Sequence, residues 1–280
     1  MKGVICVATH TRTIQLEKCL ERIIIARKGR NIPLVVIHQN GSREVKEILS
    51  KFQDEIQLLV HTEAQGKNAL ENINLNALLY RDIAFFWLNA DWCLGVEDDV
   101  QISSDSIDFI HEIHNRYKEN KYFRGVNLGS RSPHDYQRIG EFTKSRYGMH
   151  GQASMITKKT WSHFNQTQLR KKVGLMGLDA MMERYLKLGF MCVPYVSRFL
   201  DTGWSGTHTS DNPEDPYFVD LRNSFGSGNY QGTIEYFESK FEPNWRDDCT
   251  RFTIAYRWPL YLKDLFGHFK YLLKNKLNYF

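Results

Sequence analysis

The sequence contains no CxxC pair, no GxGxxG or Walker A motif, no internal repeat and no low-complexity segment. Each absence removes a class of protein. The five cysteines (Cys6, Cys19, Cys93, Cys192, Cys249) are odd in number and widely scattered, so neither a structural zinc site nor a disulfide framework is indicated. A reducing cytosol is the simplest compartment for them. Without a glycine-rich phosphate loop, the standard dinucleotide and P-loop sites are disfavoured. The opening apolar run Val4-Ile5-Cys6-Val7-Ala8 is too short for a signal peptide or membrane span, and no later segment approaches about eighteen uninterrupted apolar residues. A formal net charge of +5 is small and spread out, so nucleic acid is not an expected partner. A nucleic-acid binder built on the C-terminal lysines is the weakest reading, and salt-dependent binding would expose it.

What remains is a chain of 280 residues, enough for one large domain or two small ones, with an ordinary globular mix of 42% hydrophobic and 25% charged residues. Residues 3–8 read as a buried strand, followed by the polar turn Thr9-His10-Thr11-Arg12 and a helical spacing over 13–27 (Leu16, Leu20, Ile23, Ile24). Residues 33–38 read as a second strand ending in Gln39-Asn40-Gly41-Ser42, where Ser42 can cap a helix over 43–53. A third strand over 57–61 precedes Gln65-Gly66-Lys67-Asn68 and a helix to about Arg81. This alternation predicts a parallel sheet with crossover helices, in which ligands bind at the carboxyl ends of strands. The polar turns after the three strands then lie along one edge.

The most informative stretch is Leu94-Gly95-Val96-Glu97-Asp98-Asp99-Val100, which follows the apolar run Ile83-Ala84-Phe85-Phe86-Trp87-Leu88. Adjacent carboxylates repel, and a folded protein relieves that with a cation; hard ions such as Mg²⁺ or Mn²⁺ bridge carboxylates to substrate phosphates. A solvated acidic turn is the plainer alternative. Beyond it, Ser103 or Ser104 can cap a helix to about Asn120, and residues 121–156 read as mixed and rich in loops. Residues 178–188 carry a helical apolar face (Leu178, Met181, Met182, Tyr185, Leu188), and Phe190–Pro194 reads as a short strand. Residues 210–232, with many Asp, Asn, Gly and Pro, suggest a loop or linker.

The order of these motifs resembles the GT-A-fold glycosyltransferases over roughly residues 3–208, in particular the inverting N-acetylglucosaminyltransferase I type. The Glu97-Asp98-Asp99 triplet looks like that group's version of the DxD motif. Gly177-Leu178-Asp179 is similar to the helix opening that supplies its catalytic base. Val193-Pro194-Tyr195-Val196-Ser197-Arg198, with Gly203, Gly206 and His208 beyond, resembles its Pro-x-Val-Ser-Arg segment and the following loop. The resemblance implies an α/β, GT-A-like nucleotide-diphospho-sugar transferase fold, with a mostly parallel central sheet flanked by helices. It implies a catalytic domain over 1–210, with its nucleotide-binding part about 1–102 and its acceptor part about 103–210, and a C-terminal loop and amphipathic helical extension over 211–280. The animal enzymes of the type carry an N-terminal membrane anchor and stem, which this sequence lacks; a bacterial-type cytoplasmic enzyme of surface polysaccharide synthesis is expected.

The implied activity is metal-dependent transfer of a sugar, GlcNAc by the closest likeness, from a UDP-sugar donor to a glycan or lipid-linked glycan hydroxyl, with inversion. UDP-Gal or UDP-GalNAc as donor is the alternative within enzymes. A non-catalytic nucleotide- or carbohydrate-binding protein on the same scaffold is the alternative from another class. By the resemblance Asp99 is the direct ligand of Mn²⁺ or Mg²⁺, with Glu97 and Asp98 acting through water, ribose or sugar. Asp179 is the candidate general base; the helix dipole keeps an acid there ionised, although helix stabilisation alone would explain it, and Glu183 is its rival. His208 is a candidate metal ligand and Trp204 a candidate cover for the sugar. Arg198 suits the diphosphate or a structural ion pair. Thr9, His10, Arg12, His38, Gln39, Lys67 and Asn68 are candidate nucleotide contacts, each with a solvated loop role as its alternative. From Tyr256 to Phe280, mixed aromatic, leucine and lysine content suits an interfacial helix, which predicts peripheral contact with the inner face of the cell membrane; docking on the domain or a second subunit is the alternative.

Overall fold

The computed structural model describes residues 2–129, 142–145, 152–167, 170, 178, 182, 189–194 and 197–202. Its first half alternates strand and helix as the apolar spacing predicts: β1 (Gly3–Thr9), α1 (Ile14–Arg27), β2 (Leu34–Gln39), α2 (Arg43–Lys51), β3 (Leu58–Thr62), α3 (Ala69–Asp82) and β4 (Trp92–Glu97). Then come β5 (Val100–Ile102), α4 (Ser106–Tyr117), β6 (Phe123–Asn127), β7 (Phe142–Ser145), β8 (Ala153–Thr157), α5 (Lys158–Asn165), β9 (Phe190–Pro194) and β10 (Phe199–Asp201). Eight strands form one sheet in the order β3-β2-β1-β4-β8-β6-β9-β7. The first four strands in this order are mutually parallel, and β8 and β7 run antiparallel to their neighbours. The remaining pair, β5 and β10, forms a small antiparallel sheet.

Alternation along the strands divides the core into two layers, because successive side chains face opposite sides of the sheet. Ile5, Val7, Leu34, Val36, Trp92 and Leu94 pack on the layer that holds α1. Val4, Cys6, Val35, Ile37 and Cys93 face the other layer, which holds Tyr80 of α3 and Trp161 of α5. Two ties fasten this second layer. The Trp161 indole donates to Asp82 Oδ1 at 2.9 Å, and Arg170 pairs with the same carboxylate.

Local chemistry sets several boundaries. Ser42 Oγ accepts from the Val45 N–H at 3.2 Å and caps α2, as expected. Asn68 Oδ1 accepts from the Glu71 N–H at 2.9 Å and caps α3. The apolar run after α3 is a π-helical turn, Ile83–Trp87, which buries Ile83, Ala84 and Phe85 and leaves Phe86 and Trp87 exposed. The expected serine cap on α4 is replaced: the helix begins at Ser106 after Asp105, because the Ser103 hydroxyl is committed to Asp105 Oδ1 and Ser106 Oγ. Among the described residues no helix is long and apolar enough to cross a membrane.

Candidate active site at the carboxyl edge of the sheet

Because β1 to β4 are parallel, their carboxyl ends share one edge. Register brings Thr9 beside His38, Ala8 beside Glu97, and Gln39 beside Thr62. The expected nucleotide-contacting turns and the acidic triplet are therefore neighbours.

Asp98 and Asp99 are 6% and 5% exposed, which is unusual for carboxylates and requires compensation. Arg12, in the turn after β1, provides it. Its Nη1 lies 2.9 Å from Asp98 Oδ1 and also contacts Asp99 Oδ2. Burial opposes the guanidinium charge, but Asp99, Asp98 and Glu97 together outweigh burial and keep it protonated. Burial first, then the Asp201 carboxylate, push the Asp99 carboxyl up to about 7 against the pull of Arg12. Burial and the neighbouring Asp99, Asp201 and Asp98 likewise push Glu97 well above the usual carboxylate range.

Asp201 carries no motif of its own in the sequence. The small sheet delivers it, since Asp201 pairs in register with Val100 immediately after the triplet. Gln152 donates to its carboxylate, and the Gln152 carbonyl accepts the Glu97 N–H at 2.9 Å. Thr202 completes the clamp: its N–H and hydroxyl both donate to the Asp99 carbonyl, at 2.8 and 2.7 Å. The Asp99 backbone is thus held while its carboxylate keeps one oxygen, Oδ1, buried and without a partner. That vacant hard-oxygen donor beside a second buried carboxylate fits a Mg²⁺ or Mn²⁺ ion. No group of three His, Cys, Asp or Glu able to hold a metal ion is found among the described residues.

A second group of buried polar atoms lies at the ends of β1 and β2. Thr9 Oγ1 and both ring nitrogens of His38 are buried without partners, at the ends of β1 and β2. Burial, with the nearby His61, Lys46 and His10, lowers His38 to about 4, so its ring is neutral and offers one donor and one acceptor. Gln39 points into the α3 layer, where its Oε1 accepts from Asn76 Nδ2 at 2.9 Å. His10 is exposed, with Nε2 2.8 Å from Asn40 Nδ2. Lys67 is exposed and Asn68 is occupied as the α3 cap, so this turn meets the edge without forming part of its buried polar group. Arg198 is fully buried; its Nε donates to Asp105 Oδ2 at 3.1 Å and its guanidinium lies 4.2 Å from the Phe109 ring centre, a structural ion pair. Asp179, Glu183, Trp204, His208 and the 256–280 segment lie outside the described residues.

No protein-family model matches the sequence, and no curated protein matches it. Solved structures do. A crystal structure of S. aureus TarS aligns with a TM-score of 0.50 at 12% identity, covering 87% of this chain and 44% of that one. The 1–349 portion of S. aureus TarS in complex with UDP aligns at 0.47 and 13% identity, over 87% of this chain and 76% of that chain. A mannosyltransferase from Pyrobaculum calidifontis, in complex with GDP-Man and Mn²⁺, aligns at 0.48 and 14% identity, over 70% of this chain and 57% of that chain. The chain spans about half the length of the mannosyltransferase and of the first TarS structure. Strand order, and the likeness to TarS at this identity, speak to fold: the architecture is α/β and GT-A-like, that of the nucleotide-diphospho-sugar transferases.

Proposed function

We propose that the chain is a metal-dependent glycosyltransferase that moves a sugar from a UDP-sugar to a hydroxyl of a glycan or lipid-linked glycan. The observation that carries this reading is Asp99: a clamped, buried carboxylate with one unpartnered oxygen, at the strand edge that also presents the unpartnered Thr9 and His38. Buried polar atoms without partners are uncommon in native proteins, and here they converge where a nucleoside diphosphate would satisfy them.

The bound divalent ion would neutralise the leaving diphosphate. Asp99 would hold it directly, with His208 as a further ligand, while Asp98 and Glu97 order water, ribose or sugar. His10, Gln39, Lys67 and Asn68 would contact the nucleotide on binding, and Trp204 would cover the sugar. Arg12, released from the carboxylates, can pair with phosphate. Asp179 would accept the proton of the acceptor hydroxyl as its oxygen bonds to the anomeric carbon, while the bond to the diphosphate breaks and its electrons leave with the diphosphate. A single displacement of this kind inverts the anomeric centre. GlcNAc is the first donor sugar to test, surface polysaccharide the first acceptor class, and the cytoplasm, with 256–280 against the membrane, the proposed location.

Calorimetric titration with a panel of nucleotide sugars, in Mn²⁺ and then in EDTA, tests the reading. Metal-dependent binding of one UDP-sugar is expected. Absence of binding by any nucleotide sugar to well-folded protein would overturn it and leave the non-catalytic scaffold. Asp179→Asn should keep donor binding and abolish transfer; normal turnover in that variant removes the base assignment.

A further inference from the structure

A second set of charged groups gathers at the opposite end of β4. A cavity of about 400 Å³ is lined there by Lys118, Lys158, Lys159, His114, Asp91 and Phe123, among others. Asp91 precedes β4 and Glu97 ends it, so the cavity and the acidic edge lie about 20 Å apart along the strand. Thr157 pairs in register with Trp92, which sets the start of α5 at this pole.

The lining is basic for a structural reason. α4 ends here and contributes Lys118 just beyond its last residue; α5 starts here and contributes Lys158 and Lys159 in its first turn. Lysines in the first turn of a helix run against the dipole, whose positive end lies at the amino terminus. Such an arrangement is unfavourable unless an anion is drawn in, and a helix amino terminus is itself an anion site. Lys118 and Lys159 have no carboxylate partner among the described residues, and Lys158 Nζ reaches only the neutral Asn89 Oδ1. Asp91, the one acid of the lining, accepts the Lys2 N–H at 2.8 Å through Oδ2.

His114 supplies an independent sign. It is 6% exposed, it lines the cavity, and its Nδ1 has no hydrogen-bond partner. A buried polar side chain with an unpartnered atom, on a residue that lines a basic cavity, is a group that a polar ligand could satisfy. The volume lies within the range of small-molecule sites and exceeds what an orthophosphate alone would need.

We propose that this cavity is a second binding site, separate from the acidic edge, for a small phosphate-bearing molecule held by Lys118, Lys158, Lys159 and the amino terminus of α5. The shared chemistry is a phosphate dianion or monoanion, whether free or carried on a lipid headgroup.

The test uses the full chain in EDTA, so that phosphate bridged by metal at Asp99 cannot contribute, with inorganic phosphate as the probe. Saturable stabilisation of thermal unfolding is expected, above that given by chloride at matched ionic strength, with at least a tenfold weaker apparent affinity in Lys118→Gln/Lys159→Gln. Asp99→Asn should bind phosphate as the wild type does, which separates this site from the proposed donor site. Equal effects of phosphate and chloride, or full retention in the double variant, would overturn the proposal. Should the double variant fail to fold, amide shifts on wild-type protein decide: changes centred on His114, Lys118 and Thr157–Lys159 support the site, and changes elsewhere overturn it. A parallel arm uses vesicles of phosphatidylglycerol. Binding to them that phosphate competes away assigns the headgroup as the source, and phosphate binding without vesicle binding assigns the free molecule.

Discussion

Arg12 Nη1 and Asp98 Oδ1 stand 2.9 Å apart although 86 positions separate them in the chain, and the same nitrogen reaches Asp99. One guanidinium therefore holds one oxygen of each carboxylate, beside the unpartnered Asp99 Oδ1 that the proposed chemistry gives to a divalent cation. Its side chain is 29% exposed against 8% and 7% for the two carboxylates, so it closes over them from the solvent side.

This arrangement sets the first prediction. A divalent ion held at Asp99 Oδ1 is repelled by the Arg12 charge on Asp99 Oδ2 and Asp98 Oδ1, so Arg12→Gln should tighten binding of Mn²⁺ alone several-fold at pH 8. That pH lies above the Asp99 value of about 7 in the wild type; loss of Arg12 removes its downward pull and raises Asp99 further, so the gain should grow as pH rises above 8 and the variant's carboxylate ionises. UDP-sugar binding in saturating Mn²⁺ should weaken, because the phosphate partner is gone. Calorimetry measures both. Unchanged Mn²⁺ affinity would mean that Arg12 and the metal do not share these carboxylates.

The second prediction concerns the stability cost of Asp99. Its carboxyl holds a proton to about pH 7 in the folded state, whereas the unfolded chain releases it near the ordinary aspartate value of 3.8. Between these values the folded state binds the extra proton, so this contribution to stability falls as pH rises and is lost above about 7. Asp99→Asn removes the buried charge and its repulsion by Asp201. At pH 8 the variant should melt above wild type, by roughly 2–4 °C for each kcal/mol recovered; at pH 4 the two should coincide within the cost of the substitution itself. Mn²⁺ should raise the melting temperature of wild type and leave the variant unchanged. Scanning calorimetry at the two pH values reads each outcome.

Much of this site could be anticipated from residue order. Val4–Ala8, Leu34–Ile37 and Leu58–Val60 are short apolar runs separated by helical spacings, so the parallel sheet and its carboxyl edge follow from periodicity. Asp201 could not be found that way. Phe199–Asp201 is a three-residue strand with no period of its own, and only its antiparallel pairing with Val100–Ile102 carries the acid to Asp99. The antiparallel β8 was hidden in a glycine-rich stretch, although it joins the two halves of the sheet. Ile83–Trp87 was ambiguous for a different reason: a short apolar run has the same composition as a strand or a buried turn, and here the α3 ladder simply widens for one turn. Arg198 shows burial deciding between two roles open to one residue, since its pairing with Asp105 leaves it as a strut between β10 and α4.

Gly95 yields a third prediction. It lies two residues before Glu97 and faces Tyr80, and a methyl group there would run into the Tyr80 hydroxyl. Tyr80 is 4% exposed, and burial raises its phenol well above the ordinary value, so the ring has little freedom to withdraw. Gly95→Ala should cost about 1–3 kcal/mol, the usual range for overpacking. Adding Tyr80→Phe removes the clashing oxygen and should restore part of that loss. Urea unfolding of the two single variants and the double variant forms the cycle. Strict additivity would show that Gly95 and Tyr80 do not constrain one another.

The final prediction uses His38, whose protonation runs in the opposite sense to that of Asp99. Burial, then His61, Lys46 and His10, hold the folded-state value near 4, below the ordinary histidine value of 6.5. Between those values the unfolded chain binds the extra proton, so stability rises with pH through this window and is lost as pH falls from about 6.5 towards 4, by up to about 1.4 kcal/mol per pH unit. His38→Gln removes that term, whatever it does to stability at neutral pH. The measured quantity is therefore a slope: unfolding free energy against pH between 4.5 and 6, wild type and variant side by side. The variant should fall more steeply with rising pH, because Asp99 and Glu97, both raised, are left unopposed. In wild type His38 offsets part of their trend, so the two sides of the carboxyl edge temper each other across mildly acidic pH. Parallel slopes would mean that His38 is protonated alike in both states, and that its two unpartnered nitrogens are reached by water rather than reserved for a ligand.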